Sequence, residues 1–424
     1  MFKNKGNKDK FITLILMMVS LNTIYLLPYL MYTYYTPLQE AMGLVGKDAA
    51  YGKLLNIYGI VNIILYLPGG WISDMFDAKK LLVISMISTG VLGLVEATWP
   101  SYSILMVIYI LWSFTTVLTY WSSSIKCINL IAGADEQGAM FGSLEAGRGV
   151  VGLILTTVFV GIYSMTASIT GVVIVISIVM IICGIAQLIL MPSTSSDEAV
   201  NKDVKSSIRA MKGAFKLPIT YLLSAMIFGA CITRATFSYY TPFLEQVLGV
   251  SVKVTTIFAN YNNVLTNIVG ASAAAFFATK VGRSTKPMIY AGIVMIASYV
   301  GIILLPQTCI LLVPFVLLFI IASLGTYVYR ALYYAVIEEV GTPKNVVGNV
   351  IGISSLVGFI PDTFYLSMCG GWIEKYGVGA YKLIFATCLV SAVVGFIGAF
   401  ISERMVKKRR RNIEIKKGIN GIEV

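Results

Sequence analysis

Six ionisable side chains lie inside stretches that are otherwise apolar: Lys126, Glu145, Arg148, Arg234, Arg330 and Asp362. A charge at the centre of a bilayer costs about 2.5–3.5 kcal/mol or more, so such residues face a partner or a water-filled cavity. Four are positive and two negative, and a cavity lined this way attracts an anion. Arg234 is the deepest, about sixteen residues in from Pro218, with the small Ala230, Cys231 and Ser238 one turn away. Its planar fork of donors suits carboxylate, phosphate or sulfonate oxygens. The competing expectation is an ion pair between Arg234 and Asp362.

The other five divide into smaller groups. Lys126 shares a helical face with Trp121 and Ser122, and Arg330 with Tyr327 and Tyr334. Rings beside a cation orient an organic group while the charge takes its acid end; the alternative is a gate residue held by nearby carboxylates. Glu145 and Arg148 are three apart, so they either satisfy one another or form a proton-coupling pair. Asp362 follows Pro361, which kinks a helix and frees a carbonyl. It is a candidate proton site, a partner for Arg234, or a structural cap.

The elements that must position these residues follow from composition. Hydrophobic residues are 57% of 424 and charged residues 12%, about half the charge of a soluble chain. Mean hydropathy is +0.83. Apolar runs near the length that spans a bilayer predict an all-α membrane protein with twelve crossings. These fall at about 11–36, 51–73, 81–99, 102–131, 140–163, 167–191, 218–244, 254–278, 287–305, 308–336, 347–368 and 378–402. The net charge of +12 gathers at segment ends, the positive-inside pattern, and does not point to nucleic acid. The N-terminal lysines, Lys79, Lys80, Lys280, Arg283 and the tail from Arg404 to Lys417 fall on one face, which predicts both termini in the cytoplasm. The four lysines of the first ten residues precede an apolar run without a small-residue cleavage site, which fits a retained first helix. Six scattered cysteines lack metal spacing, and histidine is absent. No metal or cofactor is expected.

An internal repeat sets the architecture. Tyr34-Tyr35-Thr36-Pro37 recurs as Tyr239-Tyr240-Thr241-Pro242, and the same offset of about 205 residues carries Asn62 onto Asn267 and Tyr29 onto Arg234. The expected organisation is two pseudo-symmetric six-helix halves, 1–191 and 218–402. A polar linker, 192–217, joins them, and a basic tail, 403–424, is disordered or lipid-facing. Duplicated halves around a midplane site are a transporter architecture.

The loop Gly70-Trp71-Ile72-Ser73-Asp74-Met75-Phe76-Asp77-Ala78-Lys79-Lys80 resembles the loop 2–3 signature of the major facilitator superfamily, matching at Gly70, Asp74, Lys79 and Lys80. Met75, Asp77 and Ala78 depart from it. The second half supplies Lys280, Gly282 and Arg283 but no aspartate. The resemblance implies the major facilitator fold, with segments 1, 4, 7 and 10 lining the cavity. Gly70 would allow close approach, and Asp74 would cap a helix start and pair across a cytoplasmic gate. The stretch from Arg234 to Pro242-Phe243-Leu244 resembles helix 7 of the organophosphate:phosphate antiporters, where an arginine grips phosphate with a partner in helix 1. Here that partner position is Tyr29, which suggests a less strictly phosphate-bound anion.

The expected function is secondary active transport of a small organic anion by alternating access, as proton symport or anion exchange, by a monomer in a bacterial inner membrane. The alternatives are a drug exporter, a carrier of neutral sugars or nucleosides, using Asn62 and Asn267 on hydroxyls, and a transporter-like sensor. An enzyme is disfavoured, since no nucleophile–base grouping or phosphate-cradling loop is present.

Overall fold

A chain with apolar runs this long must satisfy its peptide groups internally, and the computed structural model does so with helix as the only regular structure among the described residues. Those are residues 7–131, 137–192, 213–343 and 346–420. Most of the expected linker, and Lys344, lie outside them.

The helices are α1 (Asn7–Thr23), α2 (Tyr35–Ala41), α3 (Asp48–Met75), α4 (Ala78–Glu96), α5 (Tyr102–Ser113), α6 (Ser122–Ile131), α7 (Gln137–Thr166) and α8 (Ile169–Leu190). After the linker come α9 (Pro218–Ala235), α10 (Tyr240–Gln246), α11 (Val252–Val281), α12 (Thr285–Leu304), α13 (Leu312–Leu332), α14 (Val336–Glu339), α15 (Val347–Gly358), α16 (Tyr365–Tyr376) and α17 (Ala380–Asn420). Among the described residues ten stretches are long and apolar enough to cross a membrane. The first and eleventh expected segments do not qualify as single pieces because each is broken.

The breaks have identifiable causes. Helix stops at Thr23, a 3-10 turn covers Leu30–Tyr32, and α2 restarts at Tyr35. In the second half a 3-10 turn at Thr236–Tyr239 leads into α10 at Tyr240. Pro37 and Pro242 each occupy the third position of the restarted helix, where a missing N–H costs nothing. The repeated string is therefore a restart signal, and the offset of about 205 carries the bounds of α2 onto those of α10. Upstream the halves differ. Pro28 falls on Thr233; proline disfavours helix at the residue before it and clashes with the carbonyl four back. The first half therefore unwinds early, while α9 stays helical through Arg234. The first expected segment, 11–36, is thus not one helix.

The chain divides into two compact units. The first holds Met1–Asn201, Thr241–Val264 and Thr363–Gly377; the second holds Lys202–Tyr240, Leu265–Asp362 and Val378–Val424. Residues 241–264 and 363–377, expected with the second half, thus belong to the first unit.

In the first unit, α3 and α16 meet through two glycines. A Cβ on Gly370 would lie 2.3 Å from the carbonyl carbon and oxygen of Asp48, and one on Gly52 would lie 2.5 Å from the carbonyl carbon of Leu366. The amide of Ala49, in the first turn of α3, donates to Glu374 Oε1 at 2.8 Å. Beside this junction Glu245 of α10 accepts from Thr36 at 2.5 Å and from Thr255.

In the second unit α17 runs 41 residues, about 60 Å at 1.5 Å per residue. Of the two alternatives expected for the tail, disorder is corrected here, since helix continues to Asn420. Glu403, 4% exposed, accepts from Arg283 at 2.7 Å and from Thr285 at 2.5 Å. Arg409 donates to the carbonyls of Glu338 and Glu339 at 2.6 and 3.0 Å, and Arg410 to that of Gly282. Arginines at the carboxyl ends of α14 and α11 complement the helix dipoles there. The charges read as a solvated tail bind one face of their own unit.

Candidate functional site

In the first unit the unwound stretch after α1 faces a second irregularity, a π-helical segment at Phe114–Trp121 between α5 and α6. The Tyr25 hydroxyl donates to the Thr116 carbonyl at 3.2 Å. The Tyr25 ring lies 6.5 Å from each of Tyr29, Tyr120 and Trp121. Tyr29 stacks on Tyr32 at 5.4 Å and meets the edge of Tyr58 at 5.5 Å. Offset and edge-on pairs of this kind fix ring positions. Two of the expected residues, Tyr29 and Trp121, therefore belong to one aromatic cluster. Tyr25, Tyr58 and Tyr120 were not anticipated, although Tyr25, Tyr29 and Tyr32 carry helical spacing in the sequence.

Arg148 of α7 acts electrostatically on Tyr25 and Tyr120. Its carbonyl accepts from Asn22 at 2.9 Å. A Cβ on Gly147 would overlap the thioether end of the Met18 side chain of α1. The side chains of Glu145, Gly70 and Asp74 lie outside the described residues. Asn62 is buried on α3.

Lys126 sits elsewhere. Its ammonium donates to the carbonyls of Ser73 at 2.5 Å and Phe76 at 3.3 Å, at the carboxyl end of α3. The acceptors are backbone carbonyls, not the carboxylates expected of a gate residue. The cap expected of Asp74 is made instead by Asp77, which is the N-cap of α4 and accepts from the Lys79 amide at 2.8 Å. Asp74 lies inside the last turn of α3, so it cannot start α4. Lys80 and Lys280 are exposed, and Arg283 is engaged by Glu403.

In the second unit, Arg234 near the end of α9 lies 5.4 Å from the Phe237 ring and 6.0 Å from the Tyr327 ring, cation–π distances. One turn back, the Cys231 thiol donates to Asp362 Oδ1 at 3.1 Å. Asp362 is carried by the 3-10 turn Ile360–Thr363, where α15 gives way to α16. Arg330 and Arg234 both act electrostatically on its carboxyl. Arg330 also acts on Tyr333, while the Tyr334 hydroxyl shares a 2.7 Å bond with Ser355. Arg234, Arg330, Asp362 and Tyr334 thus fall in one region of one unit, with two guanidiniums to one carboxylate. Asn267 of α11 is exposed. Among the described residues no group of three or more Cys, Asp or Glu could hold a metal.

Comparison with known proteins fits this architecture. The chain is 29% identical over 379 residues to inner membrane protein YqcE of Escherichia coli (strain K12), covering 86% of this chain and 87% of that one. It is 24% identical over 401 residues to inner membrane protein YihN of the same organism, covering 91% and 93%. A bacterial homolog of the human lysosomal transporter Spinster, solved in an inward-facing and occupied conformation, superposes with TM-score 0.66 at 15% identity, covering 95% and 98%. The nucleoside transporter NupG superposes with TM-score 0.67 at 14% identity, covering 93% and 99%. The sequence profile of the Major Facilitator Superfamily matches residues 11–364. With that match, the helical crossings and the duplicated halves, this chain belongs to the Major Facilitator Superfamily.

Proposed function

We propose that the protein is a secondary active transporter, not an enzyme, that moves a small organic anion by alternating access. The anion carries a carboxylate, phosphate ester or sulfonate. The observation that carries this is Arg234, held between Phe237 and Tyr327, with Arg330 also acting on the Asp362 carboxyl. Two guanidiniums in one region supply planar, forked donors for an incoming oxyanion. Arg234 is the anchor, and Asp362 and Glu145 are the candidate coupling carboxylates for proton symport, with anion exchange as the alternative coupling. The protein is a monomer of the bacterial inner membrane with both termini cytoplasmic. The names of YqcE and YihN and the asymmetry of basic loops support that placement.

The test begins with thermal shifts of purified protein against phosphorylated, sulfonated and carboxylated metabolites, since specific binding stabilises the fold by an amount that rises with the logarithm of ligand concentration. A bidentate charge-assisted contact contributes about 2–4 kcal/mol, so Arg234→Ala weakens the best anion roughly 30- to 1000-fold. Arg234→Lys, which keeps charge and loses the fork, falls between. Unchanged affinity in Arg234→Ala rules out the anchor. Counterflow of the same anion in proteoliposomes separates a carrier from a sensor, which binds without flux.

A further inference from the structure

We propose that Tyr25, Tyr29 and Trp121 form a ring-recognition subsite in the first unit, which takes the flat face of a ring carried by the transported solute. The ring is an aryl or nucleobase plane, or the C–H face of a cyclic sugar. The subsite rests on the chain being a carrier of organic solutes, but not on the anion anchor at Arg234.

Four observations converge on it. First, two departures from α-helix meet here, the unwound stretch after Thr23 and the π-helical turn of Phe114–Trp121. Irregular backbone at membrane depth persists only where it is buried in protein or lines a water-filled cavity, and π-turns gather at functional sites. Second, the cluster is not simply core. Tyr58, Tyr120 and Tyr32 are 1%, 0% and 5% exposed and form a rigid backing, whereas Trp121 is 39% exposed, and Tyr25 and Tyr29 are half-buried.

Third, the winding aims Trp121. Residues seven apart share a face of an α-helix, which would align Trp121 with Phe114. The wider i→i+5 turns carry seven residues well short of two turns, and Trp121 meets Tyr25 of the unwound stretch instead. Fourth, several of the hydroxyls are already engaged. Tyr25 donates to Thr116, Tyr58 shares a 2.7 Å bond with the Thr116 hydroxyl, and Tyr120 donates to Ser20 at 2.7 Å. With its hydroxyl committed, Tyr25 offers its ring, as Trp121 does, and stacking tolerates any flat apolar face.

The test uses probes that differ in the ring. Phenylphosphonate is compared with propylphosphonate, and glucose 6-phosphate with glycerol 3-phosphate; uridine supplies rings without an anion. Affinities are taken from thermal stabilisation of the full-length protein. The expected result is a preference of about tenfold for a cyclic member over its acyclic partner. Its source is the phosphonate pair if the ring is aryl and the sugar pair if it is a sugar face. Trp121→Leu brings that ratio to about one, and Trp121→Phe restores most of it. Arg234→Ala weakens both members of a pair and preserves the ratio, so loss of the anchor and loss of the subsite read differently. If the anion anchor is wrong and the subsite right, uridine stabilises the protein and Trp121→Leu abolishes the effect. Equal affinities within both pairs, a Trp121→Leu variant that keeps the ratio, or no stabilisation by any ring-bearing probe overturns the proposal.

Discussion

Replacing Gly370 with alanine tests whether the junction of α3 and α16 opens during the transport cycle. The added Cβ would lie 2.3 Å from the carbonyl carbon and oxygen of Asp48 and 2.6 Å from the Ala49 nitrogen. Ordinary contact between carbon atoms is about 3.5–4.0 Å, so the helices must part by about 1 Å. All three obstructing atoms are backbone, and no rotamer change relieves them. Overpacking of this kind costs about 1–3 kcal/mol. The same displacement stretches the 2.8 Å bond from Ala49 to Glu374 beyond hydrogen-bond range, a further loss of about 1–2 kcal/mol. Together the packed arrangement loses about 2–5 kcal/mol, which shifts a two-state equilibrium away from it by roughly 30-fold or more. Cys369, next in sequence and 0% exposed, is a native reporter. With the exposed Cys309 replaced by serine, maleimide labelling of Cys369 is expected to accelerate by about the same factor. Gly52→Ala, on the opposite helix and blocked by the backbone of Leu366 and Ser367, should do likewise. Gly371→Ala is the control, because a Cβ there meets nothing within 4 Å. If Gly370→Ala and Gly371→Ala label at equal rates, the junction does not hold the packed state and the reasoning fails.

Two predictions concern residues that brace loops. Glu403→Ala leaves Arg283 without its carboxylate and the buried Thr285 hydroxyl without an acceptor, a loss of about 2–4 kcal/mol after allowing for the partial exposure of Arg283. Denaturant unfolding in detergent should show Arg283→Ala with Glu403→Ala costing less than the two singles combined; strict additivity would refute the pairing. Lys126→Met removes the donor to the Ser73 and Phe76 carbonyls, which costs about 1–2 kcal/mol locally. Hydrogen exchange across residues 73–79 should quicken about tenfold with no change in affinity for the best anion. A loss of affinity with unchanged exchange would return Lys126 to the substrate site.

Apolar run length made the helical crossings legible in advance, because the bilayer demands that length of any spanning helix. The Tyr-Tyr-Thr-Pro repeat was legible too, and its physical meaning, a helix restart with proline in the first turn, is local. Pro28 leaves no mark in the apolar pattern, because it is embedded in strongly apolar neighbours and a hydropathy average does not register one missing N–H. The tail misled for the opposite reason. Its charge reads as solvated chain, but Glu403, Arg409 and Arg410 meet partners more than 70 residues away, which composition cannot foresee. Asp77 displaced Asp74 as the cap because α3 runs to Met75, two residues past the expected end at 73. Tyr25, Tyr58 and Tyr120 come from three separate segments, and only packing joins them.

The unequal breaks give the duplicated halves different work. Duplication supplied both with a helix that restarts at the same register, and upstream Pro28 of the first half stands where the second has Thr233. With threonine at 233 the chain stays helical and holds Arg234 on a rigid rod, its guanidinium between two rings. A planar ion benefits from that rigidity, since a fork fixed in advance loses little entropy when an oxyanion binds. With proline at 28 the chain unwinds five residues before Tyr29 reaches the 3-10 turn. A second arginine there would sit on irregular backbone and have to be positioned by side-chain entropy alone. Tyrosines stacked at 5.4–6.5 Å position one another and need no helix to hold them. Tyrosine at 29, the position the repeat pairs with Arg234, therefore suits the place where the first helix breaks. It also implies an order for engineering. Tyr29→Arg alone should not create a second anchor unless Pro28 is first replaced by a helix-forming residue.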